Sequence, residues 1–257
     1  MNNIPVLMYH ALEDTDHPAG AKDTGEQRYV LQTEQFGEQM SYLYRNGYRT
    51  YSLEELSEME TWPEKAVVLT FDDGHVSNYN LALSILQQYG FKAHFFITTG
   101  WIGTPYYLSL MQIKALHYAG MEIGSHGVTH RFLTNLTATA AEQELLDSMK
   151  CLASILEQPV TSFSAPGGRL SRVVADIARK NSYQIICNSE PILLKKSRDV
   201  VPRIALTKNC SMQTFAKTIS ADTAYFKKQQ TKNVLLSVAK KILGNDRYIA
   251  IRNILLK

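Results

Sequence analysis

The chain has 257 residues, of which 45% are hydrophobic and 20% are charged, so one large α/β domain or two small ones can bury a sizeable core. A net charge of only +3 argues against a dedicated nucleic-acid-binding protein. No apolar run approaches the ~18 residues of a membrane-spanning helix.

Short apolar and β-branched runs predict seven strands, at residues 5–9, 66–71, 92–98, 121–125, 161–165, 183–188 and 200–206. Apolar stripes and capping residues predict intervening helices that begin near residues 33, 52, 77, 110, 137 and 171. This alternation indicates an α/β fold with a mostly parallel sheet, and seven repeats indicate a single distorted (β/α) barrel, closed or incomplete. We assign residues 1–225 to the barrel and residues 226–257 to a basic helical extension.

Two adjacent carboxylates, Asp72 and Asp73, follow the strand at residues 66–71, at the barrel end where catalytic groups are expected. Neighbouring carboxylates repel each other, so such a pair needs a cation, or one member must take up a proton. Asp-Gly is also an ordinary turn dipeptide, so an isolated Asp-Asp-Gly would be interpreted as a turn.

Two histidines, His126 and His130, follow the strand at residues 121–125. Histidines four residues apart can converge on one metal ion if the segment turns helically, although this spacing is often coincidental. Together with an aspartate from the neighbouring strand end they make a 2-His-1-carboxylate site, which leaves positions open for water and substrate.

The next strand ends in Pro166, Gly167 and Gly168, a rigid residue followed by two flexible ones. Such a turn lets the backbone approach a ligand closely, and on its own it would be interpreted as a loop.

Taken in order, T-F-D-D-G, S-H-x-x-T-H and P-G-G resemble the polysaccharide deacetylase family, the NodB-homology carbohydrate esterases, over residues 4–206. The segments P-V-L-M-Y-H and F-x-x-Q-M-x-x-L near the start resemble the branch that acts on poly-N-acetylglucosamine and related surface glycans.

The resemblance implies that Asp73, His126 and His130 hold a metal ion, Zn²⁺ first, with Co²⁺, Ni²⁺ or Mn²⁺ as alternatives. It implies that Asp72 is the general base that activates water. The implied substrate is an N-acetylated or O-acetylated sugar in a surface glycan or in its lipid-linked precursor. Pro166, Gly167 and Gly168 would then lie beside the substrate.

Three departures from the family pattern affect the rest of the site. Ser164 stands where many members have an arginine, and residues 187–190 lack the usual Asp-x-x-Asp-Trp-like motif. No histidine follows His130, so the C-terminal general acid is missing.

Two residues can replace the missing groups. His10 follows the first strand, which adjoins the last strand in a barrel, so we predict that it is the general acid; the alternative is a structural histidine at the rim. Arg203, on the last predicted strand, can hold Asp72 in its ionised form; the alternative is an ordinary surface arginine.

The basic C-terminal residues predict two short helices at residues 232–243 and 247–256. A basic amphipathic segment can lie on an anionic membrane surface, or it can pack on the barrel with its lysines in solvent. The chain start shows no basic region followed by an apolar one, and three widely spaced cysteines are typical of reduced thiols, so we expect a cytoplasmic protein.

Three functions remain open at the level of sequence. The first is an active, metal-dependent carbohydrate deacetylase. The second is a catalytically impaired glycan-binding relative, which the missing motifs favour and the retained Asp72 disfavours. The third is a related hydrolase of a non-sugar C–N bond.

Overall fold

The fold is taken from a computed structural model that describes residues 3–21, 23–229 and 231. These residues fall into two compact units, Met1–Met212 and Gln213–Lys257. Helix α8 (Met212–Ile219) lies at the boundary between them. The two basic helices predicted after residue 231, and the membrane contact inferred from them, lie outside the described residues. Among the helices that the structure describes, none is long and apolar enough to cross a membrane.

The first unit is built around seven parallel strands: β1 Val6–Tyr9, β5 Ala66–Phe71, β6 His94–Ile97, β7 Glu122–Ser125, β8 Ser162–Ser164, β9 Ile185–Cys187 and β10 Ile204–Ala205. Their spatial order is β10-β1-β5-β6-β7-β8-β9. Every predicted strand is present, although most are shorter than predicted. The curled sheet with helices around it confirms the distorted (β/α) barrel.

In the described part of the chain, the two edges of the curled sheet are joined by an isolated bridge between Cys187 of β9 and Val201, just before β10. The Asn188 N–H donates to the Val201 carbonyl, and the Val201 N–H donates to the Ile186 carbonyl. Strand β10, just after this bridge, pairs with β1. The first and last strands are therefore neighbours, as predicted, and a residue on one can reach a residue on the other.

Three short strands lie outside this order and were not predicted. Strands β2 (Ala11–Glu13) and β3 (Val30–Gln32) form a separate parallel pair, and β4 (Arg49–Thr50) pairs with the start of β5. The β2–β3 pair places residues 11–32 beside the C-terminal end of β1.

Helices surround the sheet, and all but the first, which was not predicted, correspond to predicted helices. Their bounds are α1 Thr24–Gln27, α2 Thr33–Arg45, α3 Leu53–Glu58, α4 Leu83–Gln88, α5 Leu110–Tyr118, α6 Ala138–Leu156 and α7 Arg172–Lys180. Ser52 makes the predicted capping box with Glu55, and Thr137 caps α6. The helix predicted from Ser77 begins instead as a π-helical turn, Asn78–Ala82, before α4.

Side chains of β5 alternate between the two faces of the sheet. Val68 belongs to a buried cluster with Val6, Phe96 and Cys187, whereas Phe71 stacks on Tyr9 and Phe95 at centroid distances of 5.2 and 4.8 Å. The strands therefore pack against apolar side chains on both faces.

Candidate metal centre and active site

Asp73, His126 and His130 converge just beyond the C-terminal ends of β5 and β7. The Asp73 Oδ1 atom lies 3.3 Å from His126 Nε2 and 3.2 Å from His130 Nε2. One ligand atom from each residue lies within 4.8 Å of the other two. Among the described residues, these three form the group of side chains that lie close enough together to hold a metal ion.

The two histidines do not converge through the helical turn that the sequence suggested. Gly127 and His130 both have positive φ angles, 77° and 59°, so the segment after β7 reverses direction instead. Asp73 also has a positive φ of 74°. For non-glycine residues such angles are uncommon and strained, and they often mark functional positions.

The three side chains fit a divalent cation. Asp73 Oδ1 is buried and accepts no well-directed hydrogen bond from any residue that the structure describes, although two imidazoles lie close to it. His126 Nδ1 lies 2.8 Å from the Ser164 carbonyl; donating there leaves the Nε2 lone pair facing Asp73. Two imidazole nitrogens and a carboxylate oxygen around one point are a donor set typical of zinc and related ions.

Burial alone would raise the pKa of Asp73, but the imidazoles of His126 and His130 outweigh this effect and hold the pKa well below its usual range. The carboxylate is therefore ionised, which is the form that binds a cation.

Asp72 points to a different partner. Its carboxylate is buried and forms a two-point ion pair with Arg203, with Nη1–Oδ1 2.6 Å and Nη2–Oδ2 2.7 Å. Burial would raise the pKa of Asp72, yet the Arg203 guanidinium and the neighbouring His126 lower it overall. Oδ2 lies 3.9 Å from His126 Nε2, beside the candidate metal position.

Arg203 is fully buried, and all five of its N–H donors have acceptors. Besides Asp72, they reach the Asn188 carbonyl, the Thr70 hydroxyl and the Ser164 hydroxyl, the last at 2.6 Å. The guanidinium therefore touches Ser164, the residue at which the resemblance leads one to expect an arginine. The interpretation of Arg203 as a surface arginine is wrong.

We expect Arg203→Met to lower the free energy of unfolding by about 3–5 kcal/mol, because it leaves the Asp72 carboxylate buried without its cation. Equilibrium urea denaturation measures this change. Arg198→Met is the matched control: Arg198 pairs with Glu190 at the surface, and its loss should cost about 0–1 kcal/mol. Equal effects of the two substitutions would show that the buried pair does not hold the site together.

His10 lies at the rim beside β1, as predicted. Its ring stacks on Tyr29 at a centroid distance of 4.7 Å and an interplanar angle of 27°, and Asn78 Nδ2 donates to its backbone carbonyl. The Nδ1 atom is buried and has no hydrogen-bond partner within the described part of the chain. Burial lowers the pKa of His10, while Asp73 and Asp72 act in the opposite direction.

A cleft of about 700 Å³ lies over these residues. It is lined by His10, Gly167 and Gly168 and by an aromatic group, Tyr29, Trp101, Tyr106, Tyr107 and Phe132. A side chain at Gly167 would collide with the Phe132 ring, so glycine is required there, and Pro166 is buried beside it. The volume is within the range of pockets that bind small ligands.

The sequence did not point to Tyr29 and the other aromatic residues of the cleft. They lie in loops and short turns, where no periodic pattern marks them. His75, which also lines the cleft, contacts Ser77 and the Ala19 carbonyl and so ties Ala19 to the loop after Asp73. His94 is buried against Ser162 instead, with Nε2 2.7 Å from the hydroxyl.

Residues 60–186 match the family model named polysaccharide deacetylase. The chain is 34% identical over 192 residues to YxkH of Bacillus subtilis, named as a candidate polysaccharide deacetylase, covering 73% of this chain and 65% of that protein. It is 24% identical over 267 residues to the poly-β-1,6-N-acetyl-D-glucosamine N-deacetylase of Escherichia coli, covering 85% of this chain and 38% of that enzyme. The chain thus spans less than two thirds of the length of these curated relatives.

Among solved structures, the Streptococcus pyogenes deacetylase PplD in complex with acetate is similar with a TM-score of 0.74 and 27% identity. The match covers 84% of this chain and 98% of that one. The similarity confirms the fold that the sequence predicted.

Proposed function

We propose that the chain is a member of the polysaccharide deacetylase family, whose model matches its residues 60–186, and that it is a metal-dependent hydrolase that removes acetyl groups from N-acetylated sugars of a glycan. The observation that carries this proposal is that two adjacent carboxylates have different partners. Asp73 faces two imidazoles with an unsatisfied oxygen, whereas Asp72 is held by Arg203.

Asp73, His126 and His130 would hold the ion. A divalent ion there would polarise the acetyl carbonyl and lower the pKa of water, which makes attack at neutral pH feasible. These three side chains leave the cleft side open, which a catalytic site requires and a purely structural site does not.

Asp72 is proposed as the general base. Its carboxylate lies next to the candidate ion and lines the cleft, so it can accept a proton from the attacking water. Arg203 fixes its orientation through two hydrogen bonds and keeps it ionised, which is the form that accepts a proton. Ser164, on β8, donates a weaker hydrogen bond of 3.3 Å to the same carboxylate.

His10 is proposed as the acid that protonates the leaving sugar nitrogen. The acting form would be the imidazolium, which would give one ring proton to the leaving nitrogen and become neutral imidazole. Burial lowers the pKa of His10, but the carboxylates of Asp73 and Asp72 favour this charged form. Stacking on Tyr29 fixes the plane of the ring at the edge of the cleft. An amine leaves poorly unless it gains a proton, so the acid matters most for N-acetyl substrates.

We expect His10→Ala to slow deacetylation of an N-acetylglucosamine oligomer by roughly 10²-fold or more, with fold and ion retained. Hydrolysis of an aryl acetate should fall much less, because the phenolate leaves without help. Both rates are measured as acetate released by the same preparations.

His117→Ala is the control for loss of an imidazole, since His117 lies on α5 away from the cleft. Equal losses on both substrates would assign His10 a structural role. Unchanged rates on both would remove it from the mechanism.

A polymer of N-acetylated hexosamines is the proposed substrate class, in line with the names of the relatives. The test is acetate release from β-1,6- and β-1,4-linked N-acetylglucosamine oligomers, with one free amine formed for each acetate. Binding of either oligomer without acetate release would favour the impaired glycan-binding relative. That alternative leaves the buried Asp72–Arg203 pair beside the cleft without a role.

A further inference from the structure

A second cavity opens at the opposite end of β5 from the candidate metal site. Its volume is about 550 Å³. Half of the residues that line it are aromatic, and we call it the tyrosine groove: Tyr44, Tyr48, Tyr51, Tyr89 and Phe91. Nothing in the proposed catalytic mechanism uses these residues.

The groove is well separated from the metal site. Its floor includes Arg49 and Thr50 of β4, which pair with Ala66 and Val67 at the start of β5. Asp73 lies two residues beyond the other end of that strand, so at about 3.3 Å per residue the two sites are roughly 20 Å apart. A ligand in the groove therefore does not occupy the catalytic cleft.

The aromatic rings of the groove form a continuous series. Tyr44 lies 5.4 Å from Tyr89, and Tyr89 lies 5.8 Å from Phe91, measured between ring centroids. Tyr44 is 60% exposed, although it is a large aromatic side chain on the barrel surface. Tyr89 beside it is half-buried and Phe91 is buried, so the series runs from an exposed ring into the barrel surface. Adjoining aromatic rings of which part is exposed mark binding surfaces more often than single exposed residues do.

The remaining lining is polar but carries little net charge. Glu55 accepts a hydrogen bond from the Ser52 N–H and pairs with Lys92, so its carboxylate is already neutralised. Arg49 is exposed at the edge and can donate hydrogen bonds to a ligand. Ring faces combined with hydroxyl and guanidinium donors suit an uncharged, hydroxyl-rich ligand that has apolar faces.

We propose that the tyrosine groove is a second binding site for the glycan, which holds an uncharged stretch of polymer away from the catalytic cleft. The C–H faces of pyranose rings would stack on Tyr44 and Tyr89, and ring hydroxyls would bond to the polar edge. This inference rests on the proposed function, because that function supplies a polysaccharide as partner. An apolar protein segment fits less well, since it offers no acceptor to the Arg49 guanidinium at the groove edge.

The test uses the full chain, treated with chelator so that no turnover occurs. Binding of β-1,6- and β-1,4-linked N-acetylglucosamine pentamers is measured by isothermal titration calorimetry. We expect Tyr44→Ala, alone and combined with Tyr89→Ala, to weaken binding at least about tenfold. Tyr118→Ala is the matched control, because Tyr118 is an even more exposed tyrosine outside the groove, and it should bind as the unchanged chain does.

Hydrolysis of an aryl acetate by the metal-loaded protein separates this proposal from the catalytic one. Groove variants should keep that activity while losing affinity for the pentamers. Unchanged affinity in both Tyr44→Ala and the double variant would overturn the proposal, as would the absence of pentamer binding by the unchanged chain. Loss of aryl acetate hydrolysis in every protein, including the unchanged chain, would instead contradict the proposed function.

Discussion

Alanine at any one of Asp73, His126 and His130 is expected to abolish tight binding of a divalent ion and, with it, acetate release. Three protein ligands are the minimum for a catalytic site of this type, and a site reduced to two loses most of its affinity. The distances of 3.2 and 3.3 Å from Asp73 Oδ1 to the two imidazoles show that each side chain already faces a common point. The ion content after dialysis, measured by mass spectrometry of the metal, gives the result.

The unchanged chain should retain about one ion, and so should His117→Ala, which removes a histidine distant from the cleft. Asp73→Asn adds a sharper comparison, since the amide keeps the shape of the side chain and loses its charge. Stoichiometric ion in all three alanine variants would show that the metal site is assigned to the wrong residues.

Asp72→Asn is expected to retain the ion and to lose roughly 10²–10⁴ in the rate of deacetylation, because Asp72 is proposed as the base and not as a ligand. The structure adds a second consequence. Asparagine keeps one acceptor oxygen for Arg203 but turns an amide toward the other guanidinium nitrogen, so the free energy of unfolding should also fall. The rate must therefore be measured well below the unfolding transition, and on protein whose ion content is known.

Ser164→Ala is the control for this position. It removes another neighbour of the same guanidinium while it leaves the Asp72 carboxylate and its ion pair in place. Its rate should fall much less than that of Asp72→Asn. Ion-loaded Asp72→Asn with a near-normal rate would remove Asp72 from the mechanism.

The barrel could be predicted from sequence because its strands are short apolar runs separated by well-capped helices. The strand predicted at residues 66–71 coincides with β5, because every side chain in it is buried. The helix predicted at Leu110–Tyr118 coincides with α5, because Ser109 caps its start. The β2–β3 pair could not be predicted, because Ala11–Glu13 and Val30–Gln32 are three residues each and their pairing depends on the tertiary fold.

The candidate site, too, was predictable from sequence only in part. The ligands and Asp72 come from local motifs at strand ends, and the place of His10 at the same rim follows from the adjacency of β1 and β10 that a barrel requires. The turn that brings His126 and His130 together depends on positive φ angles at Gly127 and His130, which no periodicity encodes. The stacking of Tyr29 on His10 likewise depends on a loop path that only the folded chain defines.

The central claim is that one ion held by Asp73, His126 and His130 makes the chain a deacetylase. It is tested most directly by adding a divalent ion stepwise to chelator-treated protein while acetate release from an N-acetylglucosamine oligomer is recorded. Release should be absent without the ion and should rise to a plateau at about one ion per chain, and Asp73→Ala should show no rise. Undiminished acetate release from the ion-free protein, or a normal rise in Asp73→Ala, would contradict the account.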